Sequence, residues 1–449
     1  MKHAIASAVL LAALTGPALP AARAQEPSPL TLSEAVGLTL ESHPVMGQAR
    51  ARHSAASART RKARSARLPS LATEASLSRF QEPMVVAPLH GFDPANPPTF
   101  DRNLMQGNIS LGYTLFDGGA RGARIEGTRA GEEAAAVGED VSAMEMILGV
   151  SQAYLTVLAR QELLRAAEGR IEALTSEEDR VRQFLDEGKA ARVDLMRVRA
   201  ALSRARAEAI SAETGLDVAW GRLARLTGES SAALRRRSLV PVRMAAPSLS
   251  APSRVLEAAR AGSPDLTLAR KELAAAEAGV RTADAAWLPE VRAAGRYADY
   301  GTLEGDHTLE WQASLSLSYP LFTGGARDAE EERARAERRE AAEGVRAAEL
   351  AVEEGVDEGL AALAEAQALR EALELAAEQS EEVARIEALA LDAGAGVQTD
   401  FLKAQADLFQ TRAALVQARH GEIVTRLRLA RVMGELTRNW IETRVEVER

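Results

Sequence analysis

Cysteine is absent from this chain of 449 residues. The chain therefore forms no disulfide, and no cysteine is available to carry the lipid anchor of a lipoprotein. The six histidines are scattered, and no two of them stand four residues apart, as they would on one face of a zinc-binding helix. The sequence therefore predicts no metal site and no cofactor.

Catalytic signatures and a basic surplus are missing as well. The sequence contains no H-E-x-x-H, G-x-S-x-G, Walker A or G-x-G-x-x-G motif. Its net charge of −9 argues against general nucleic-acid binding, which requires a basic surface. Beyond the N-terminus, no run reaches the ~18 uninterrupted apolar residues of a transmembrane helix. The sequence predicts neither an enzyme nor a protein anchored by a membrane helix.

The N-terminus has the pattern of a secretory signal peptide. Lys2 and His3 precede the apolar run "AIASAVLLAAL", and Ala22-Arg23-Ala24 is an A-x-A cleavage site. A buried N-terminal helix is the alternative, but it does not explain this order of charge, apolar run and small residues. We predict a signal peptide over 1–24 and export of a mature chain that begins at Gln25.

Long helices account for most of the chain. It is rich in Ala, Glu, Arg and Leu, and no proline occurs in 120–186 or 326–392. Apolar residues recur at heptad spacing, as at Phe401, Leu408 and Leu415, which is typical of coiled coils. At ~1.5 Å per residue, a helix of about 65 residues is a rod of roughly 100 Å. The predicted helices are 118–187 and 324–393, each followed by a shorter one, 190–227 and 398–435.

The chain is a tandem duplication. "LGYTLFDGGAR" matches "LSYPLFTGGAR", and "DEGKAARVDL" matches "DAGAGVQTDF", in both cases 206 residues further on. Before the first motif the spacing is 220 residues, as between the proline pairs His43-Pro44 and Ser263-Pro264. A unit this long indicates a duplicated half-molecule instead of a solenoid repeat. The predicted segments are a first half 25–227 that opens with a helix at about 33–66, a linker 228–253, a second half 254–435 and a C-terminal tail 436–449.

Two predicted β-hairpins interrupt the helices. Apolar residues alternate with polar or small ones over four strands: 70–80, 107–116, 290–299 and 310–322. The proline-rich segment 81–106 and the short segment 300–309 are predicted loops. Such strands also suit a half-buried hairpin of a soluble domain, but an exported chain with strands of about ten residues favours a transmembrane β-barrel. Four strands cannot close a barrel, so other copies of the chain have to complete it.

The repeated motif marks the passage from a strand to a long helix. Asp117 and Thr323 are suitable N-caps for the helices that follow them. Paired glycines permit backbone angles that other residues resist at such a point. The predicted junctions are Phe116 with Gly118 and Gly119, and Phe322 with Gly324 and Gly325.

These motifs, "YTLFDGGARGARI", "YPLFTGGARDAEE" and the two turn sequences quoted above, resemble the TolC-like outer-membrane efflux proteins of Gram-negative bacteria. The resemblance covers essentially the whole mature chain. It implies a mainly α-helical fold with a small β part. Three chains contribute four strands each to a twelve-stranded transmembrane β-barrel, and their coiled-coil helices form a periplasmic α-barrel. The linker and the C-terminal tail wrap around its waist.

The resemblance also implies a function and partners. The trimer is the outer-membrane exit duct of a tripartite efflux or type I secretion system, embedded in outer-membrane lipid with a large periplasmic portion. It docks with a periplasmic adaptor (membrane fusion) protein and an inner-membrane pump of the RND, ABC or MFS class. The alternative from a different class is a trimeric coiled-coil envelope-spanning structural or surface protein without channel activity.

The resemblance assigns roles to single residues. It places Asp400 on an acidic ring that narrows the closed pore, with Asp194 as the matching residue of the first half. The family's second acidic position is Lys403 here, and its gating arginine is replaced by Gly396, so we expect weaker cation preference. A solvated helix start is the alternative for both aspartates. The hairpin tips that face the adaptor are Gly188, Lys189 and Ala190, and Gly394, Ala395 and Gly396.

Overall fold

The structure is a computed structural model that describes residues 28–91, 93–244 and 251–447. The predicted signal peptide and the start of the mature chain lie outside the described residues. The helices of the described part are α1 Leu32–Ser42, α2 Pro44–Ser65, α3 Ala120–Asp186, α4 Arg192–Thr227, α5 Ser231–Leu234, α6 Pro252–Gly262, α7 Pro264–Ala285, α8 Ala326–Asp392, α9 Gln398–Val432 and α10 Arg438–Arg444. Its strands are β1 Ser70–Val85, β2 Phe100–Phe116, β3 Val242–Met244, β4 Glu290–Gly301, β5 His307–Ser318 and β6 Val445–Val447.

The four long strands form one antiparallel sheet in the order β1-β2-β4-β5. The two hairpins join through β2 and β4, where Ile109 is paired with Tyr297. β1 and β5 are left at the two edges, and within the described part of the chain each has one unpaired backbone side. The sheet is therefore open.

The first hairpin is longer than the sequence predicts. β1 continues to Val85 and β2 begins at Phe100, whereas the predicted loop spans 81–106. Pro83 lies within a register shift of the β1–β2 ladder, and proline is tolerated at such an irregularity because no ladder hydrogen bond is required of it. The proline content of this segment therefore does not exclude strand.

The second hairpin is displaced toward its turn. β5 ends at Ser318, whereas the predicted strand 310–322 continues to Phe322. Pro320 has no N–H to donate to the ladder, so the strand stops before it. At the other end both strands extend beyond their predicted limits and leave only 302–306 as the loop.

A proline breaks the first helix of each half. The segment predicted as one helix, 33–66, consists of α1 and α2 with an extended His43 between them (φ −71°, ψ 132°). Pro44 opens α2, and the residue before a proline is disfavoured in the helical conformation. α6 and α7 repeat this arrangement around Ser263 and Pro264.

The helices form a single layer around the two long ones. At the end of the layer near the sheet the order of neighbouring helices is α2-α3-α7-α8. At the end far from the sheet the order is α4-α3-α9-α8. The ion pair Lys271–Glu133 (2.7 Å) joins α7 to α3, and Arg431–Glu145 (2.8 Å) joins α9 to α3 further along. α2 and α4 thus follow one another along one edge of the layer, and α8 forms the other edge.

The largest core lies at the middle of α3, where the linker and both ends of the described chain meet. Tyr154 is fully buried there, its hydroxyl lies 2.7 Å from the carbonyl oxygen of Leu30, and it accepts the N–H of Val240 at 2.9 Å. Burial raises the pKa of this phenol. β3 of the linker pairs with β6 of the C-terminal tail. These contacts hold the connecting segments against the waist of the helical layer.

α3 is the one helix of the described chain that is long and apolar enough, by composition, to cross a membrane. Half of the most apolar 18-residue stretch of α3 is buried inside the structure. Polar residues such as Ser151 interrupt it, which is why the sequence shows no continuous apolar run. Ile147, Val150 and Tyr154 belong to the waist core, so packing between helices accounts for this stretch.

Candidate channel site

The four-stranded sheet has one apolar and one polar face. The ladder aligns the apolar residues of neighbouring strands, and on this face Leu71, Ile109, Leu111, Trp311, Leu315 and Leu317 are each at least 48% exposed. The opposite face carries Glu74, Asn108, Ser110, Arg292, Arg296, Gln312 and Ser314. In a membrane barrel the first kind of face contacts lipid and the second lines the lumen.

At the first junction, the side chain of Asp117 closes the start of α3. Its carboxylate accepts the N–H of Gly119 (3.3 Å) and of Arg121 (2.9 Å). The N-cap position itself belongs to Gly119, so the prediction that Asp117 is the N-cap is wrong, and Asp117 caps the first turn from two residues before that position. In the second half Gly325 is the N-cap of α8 without a side-chain hydrogen bond, and the prediction that Thr323 fills this position is wrong.

The paired glycines lie just outside the long helices. Their φ angles are 65° and 91° at Gly118 and Gly119, and 62° and 84° at Gly324 and Gly325. Residues with a side chain resist these left-handed angles. The two long helices therefore begin at residues 120 and 326, two residues later than predicted, and end at residues 186 and 392, one residue earlier.

Aromatic and cationic side chains surround both junctions. The guanidinium of Arg327 lies 4.4 Å from the ring of Trp287 and 5.7 Å from that of Tyr319. Arg121 lies 6.0 Å from the ring of Tyr113 at the matching place in the first half. Aromatic residues at this level are typical of a membrane interface. The two predicted junction phenylalanines, Phe116 and Phe322, are 46% and 87% exposed.

The tips of the two helical hairpins, between α3 and α4 and between α8 and α9, share one backbone geometry. Gly188 and Gly394 have φ angles of 73° and 71°. At each tip two successive N–H groups converge on one carbonyl oxygen: those of Lys189 and Ala190 on Phe184 (2.7 and 3.1 Å), and those of Ala395 and Gly396 on Ala390 (2.9 and 2.8 Å). The pKa of Glu187, at the first tip, is lowered mainly by a hydrogen bond from Lys189.

The second tip leaves no room for a side chain at Gly396. A Cβ at this position would lie 2.7 Å from the backbone nitrogen of Leu391. Its counterpart in the first half, Ala190, carries a methyl group. An arginine, which the resemblance implies at this position, therefore requires the second tip to shift.

The three predicted constriction residues lie in the first turns after the tips. Asp194 forms an ion pair with Arg197 at 3.3 Å, and its side chain is 27% exposed. Asp400 is exposed and has no ion-pair partner among the described residues. Lys403, three residues on, is exposed as well. Of the two aspartates, Asp400 therefore carries the less compensated charge.

Part of the connection between β1 and β2 reaches the polar face of the sheet. His90 Nε2 is 2.7 Å from a carboxylate oxygen of Glu310 on β5, the strand at the opposite edge. Ala298, which is paired with Glu310 in the ladder, is buried although most of the sheet is exposed. No sequence pattern points to this contact, because it joins residues of different halves.

Contacts between α3 and the helical hairpin α8–α9 hold the two helical tips side by side. Arg180 pairs with Glu177 at 2.7 Å and lies 4.0 Å from Asp392, the last residue of α8. Leu402 of α9 packs against two apolar clusters formed by α3 and α4. The sequence does not reveal these contacts either. They join the helical hairpins α3–α4 and α8–α9 to each other at the end far from the sheet.

Together these features define a class of protein. A sheet with a lipid-type face and a lumen-type face passes through two glycine junctions into a long helical layer, which is the plan of one subunit of an envelope-spanning channel. Within the described ranges, no group of three or more His, Asp or Glu side chains could hold a metal ion.

The chain belongs to the outer membrane efflux protein family. The family profile of that description matches residues 35–229 and 255–435. Protein CyaE of Bordetella pertussis is 30% identical over 429 residues, which cover 92% of this chain and 86% of CyaE. The resemblance drawn from the repeated motifs is thereby confirmed.

Solved structures share the fold. The outer membrane protein VceC of Vibrio cholerae aligns with a TM-score of 0.78 at 18% identity, over 90% of this chain and 96% of VceC. The CmeC outer membrane channel of Campylobacter jejuni aligns with a TM-score of 0.78 at 16% identity, over 90% of this chain and 85% of CmeC. These similarities confirm the predicted fold class, long α-barrel helices with four β-barrel strands.

Proposed function

We propose that the protein is the outer-membrane exit duct of a tripartite efflux or type I secretion system. In this role it passively conducts substrates from the periplasm to the exterior. The observation that carries the proposal is that the sheet leads directly into the long helices. A sheet with one apolar and one polar face leads through short glycine-containing junctions into helices that are long enough to reach deep into the periplasm. Membership of the efflux family supports the same role.

The working form in this proposal is a homotrimer. The sheet of one chain has two open edges, and an open edge is not stable in lipid because its backbone groups stay unpaired. Three copies supply twelve strands, which close a barrel. The same ring closes the helical layer, since each edge strand continues into an edge helix.

The partners and the gate belong to the proposal as well. The tips around Gly188 and Gly394 contact the periplasmic adaptor, which links the duct to an inner-membrane pump of the RND, ABC or MFS class. Asp400 narrows the pore mouth, and Asp194 and Lys403 modulate its charge. The chain has no catalytic role of its own.

The location follows from the same reading. The sheet lies in the outer membrane and the helices extend into the periplasm. Residues 1–24 direct export and are then removed. Because the sequence contains no cysteine, the mature chain is not a lipoprotein.

Conduction is the property that tests the proposal. Protein purified from outer membranes in mild detergent is sized by light scattering and then added to a planar lipid bilayer. We expect trimers and discrete single-channel currents. A trimer without current favours the alternative, a coiled-coil structural protein of the envelope. A stable monomer overturns the closed barrel and with it the duct.

A further inference from the structure

The outer face of α2 is basic and has no partner within the described chain. α2 contains six Arg and Lys residues and no Asp or Glu. It packs on α3 through residues that include Met46, Ala49, Ala56 and Thr60. The opposite side presents small exposed residues, Ala51, Ala55 and Ala58, flanked by exposed bases, among them Arg52 and Arg61. Neither of these two arginines has an ion-pair partner among the described residues.

The outer face of α8 near the sheet is acidic and equally unpartnered. Its residues 326–358 contain twelve Asp and Glu against six Arg. This part packs on α6 and α7 through Val352 and Val356. The side away from α7 presents Ala336, Ala347 and Leu350, the last of them 66% exposed, together with the exposed acids Glu332 and Glu340. Neither acid has an ion-pair partner within the described ranges.

The two faces lie at opposite edges of one layer and carry opposite charge. α2 leads into β1 and α8 follows β5, so the helix edges coincide with the open strand edges. When copies pair β5 with β1, α8 of one copy comes to lie beside α2 of the next. Small residues along both faces allow the helices to approach closely.

The chain contains its own template for this contact. Inside one chain α3 and α7 pack antiparallel, and Arg281 of α7 pairs with Glu126 of α3 at 2.7 Å. The duplication relates α7 to α2 by 220 residues and α3 to α8 by 206 residues. Arg281 therefore corresponds to Arg61, and Glu126 corresponds to Glu332. Both residue types are the same at the matching positions.

We propose that α2 of one copy docks on the sheet-proximal part of α8 of the next copy, with Arg61 facing Glu332. The occupant of each face is thus a second copy of this chain. The contact orders the copies head to tail, because the basic face repels another basic face and attracts the acidic one. The inference rests on the proposed trimer and adds the surface and the charges that direct its assembly.

Charge reversal tests the contact. Arg61→Glu places like charges together at every contact of the ring, and Glu332→Arg does the same. We expect each single variant to shift the trimer–monomer equilibrium toward monomer by about tenfold, since each exposed pair contributes little and the ring contains several. The double variant restores opposite charges, and we expect it to recover most of the trimer. Rising salt should weaken the wild-type trimer and reduce the differences between variants.

The internal pair provides a matched control. Reversing Arg281 and Glu126 singly alters the same kind of pair within one chain, so the salt dependence of trimer dissociation should stay that of the wild type. Single reversals at Arg61 and Glu332 that leave a normal trimer overturn the inference while the trimer stands. So does a double variant no better than the single ones. Wild-type protein that forms no trimer at any salt concentration overturns the proposed duct instead.

Discussion

Replacing Gly118 with alanine separates two demands that the strand-to-helix junction makes on this residue. The first is its left-handed conformation, with φ at 65°, which costs an alanine about 1–2 kcal/mol. The second is space. A Cβ at this position would lie 2.7 Å from the carbonyl oxygen of Ala285 and 2.8 Å from Cβ of Leu288. The end of α7 has to move to relieve this overlap, at a cost of about 1–3 kcal/mol. We therefore expect a loss of roughly 2–5 kcal/mol in the free energy of unfolding.

The neighbouring glycine is a matched control. Gly119 has φ at 91°, and a Cβ there meets nothing within 4 Å inside the chain. Alanine at this position keeps the conformational cost alone, about 1–2 kcal/mol. The difference between the Gly118 and Gly119 variants therefore measures the contact with α7.

Urea unfolding in detergent, followed by far-UV circular dichroism, measures these losses. Because the chain has four tryptophans, the fluorescence of Trp287, beside Leu288, reports the junction in a variant whose other three tryptophans are replaced. Equal losses for Gly118→Ala and Gly119→Ala would refute the close contact with α7. If neither variant loses stability, the left-handed junction is not needed at all.

Three further predictions address the channel, its topology and its export. Asp400→Ala should lower cation selectivity, measured as the reversal potential in a salt gradient, because it removes an uncompensated charge. Asp194→Ala should change it less, and identical potentials for Asp400→Ala and the wild type mean that Asp400 does not line the constriction. An epitope tag within 86–97 should bind antibody on intact cells and one after Gly188 should not; the opposite pattern inverts the topology. Mass spectrometry of outer-membrane protein should find Gln25 at the N-terminus, and an intact leader contradicts the cleavage.

Local patterns carried most of the architecture. Alternation along Trp311, Leu315 and Leu317 depends only on the two-residue period of a strand, so it fixes the face of each residue without knowledge of its neighbours. The positive φ angles at Gly118 and Gly324 are likewise local, because the same motif occurs twice at the same structural point. Both kinds of signal can be recognised in a single sequence.

Contacts between the halves could not be predicted in this way. The pairing of His90 with Glu310 joins the connection between β1 and β2 to the far edge of the sheet. Arg180 of α3 reaches Asp392 at the end of α8. Neither contact leaves a pattern in the sequence, because each depends on how the two halves pack. The break at Pro44 is different. The predicted single helix 33–66 is wrong there, although a proline inside a helical segment is a local signal for such a break.

The duplication also explains where the chain concentrates its charge. α7 and α2 occupy equivalent places, each beside a long helix, yet α7 has three bases and four acids whereas α2 has six bases and no acid. α7 meets α3 of its own chain, to which the linker tethers it, so that contact forms without a search. In the proposed trimer α2 has to find α8 of a separate copy, and complementary charge raises the rate and the specificity of such an encounter. The helix at the copy boundary is therefore the one on which a strong charge of a single sign is useful.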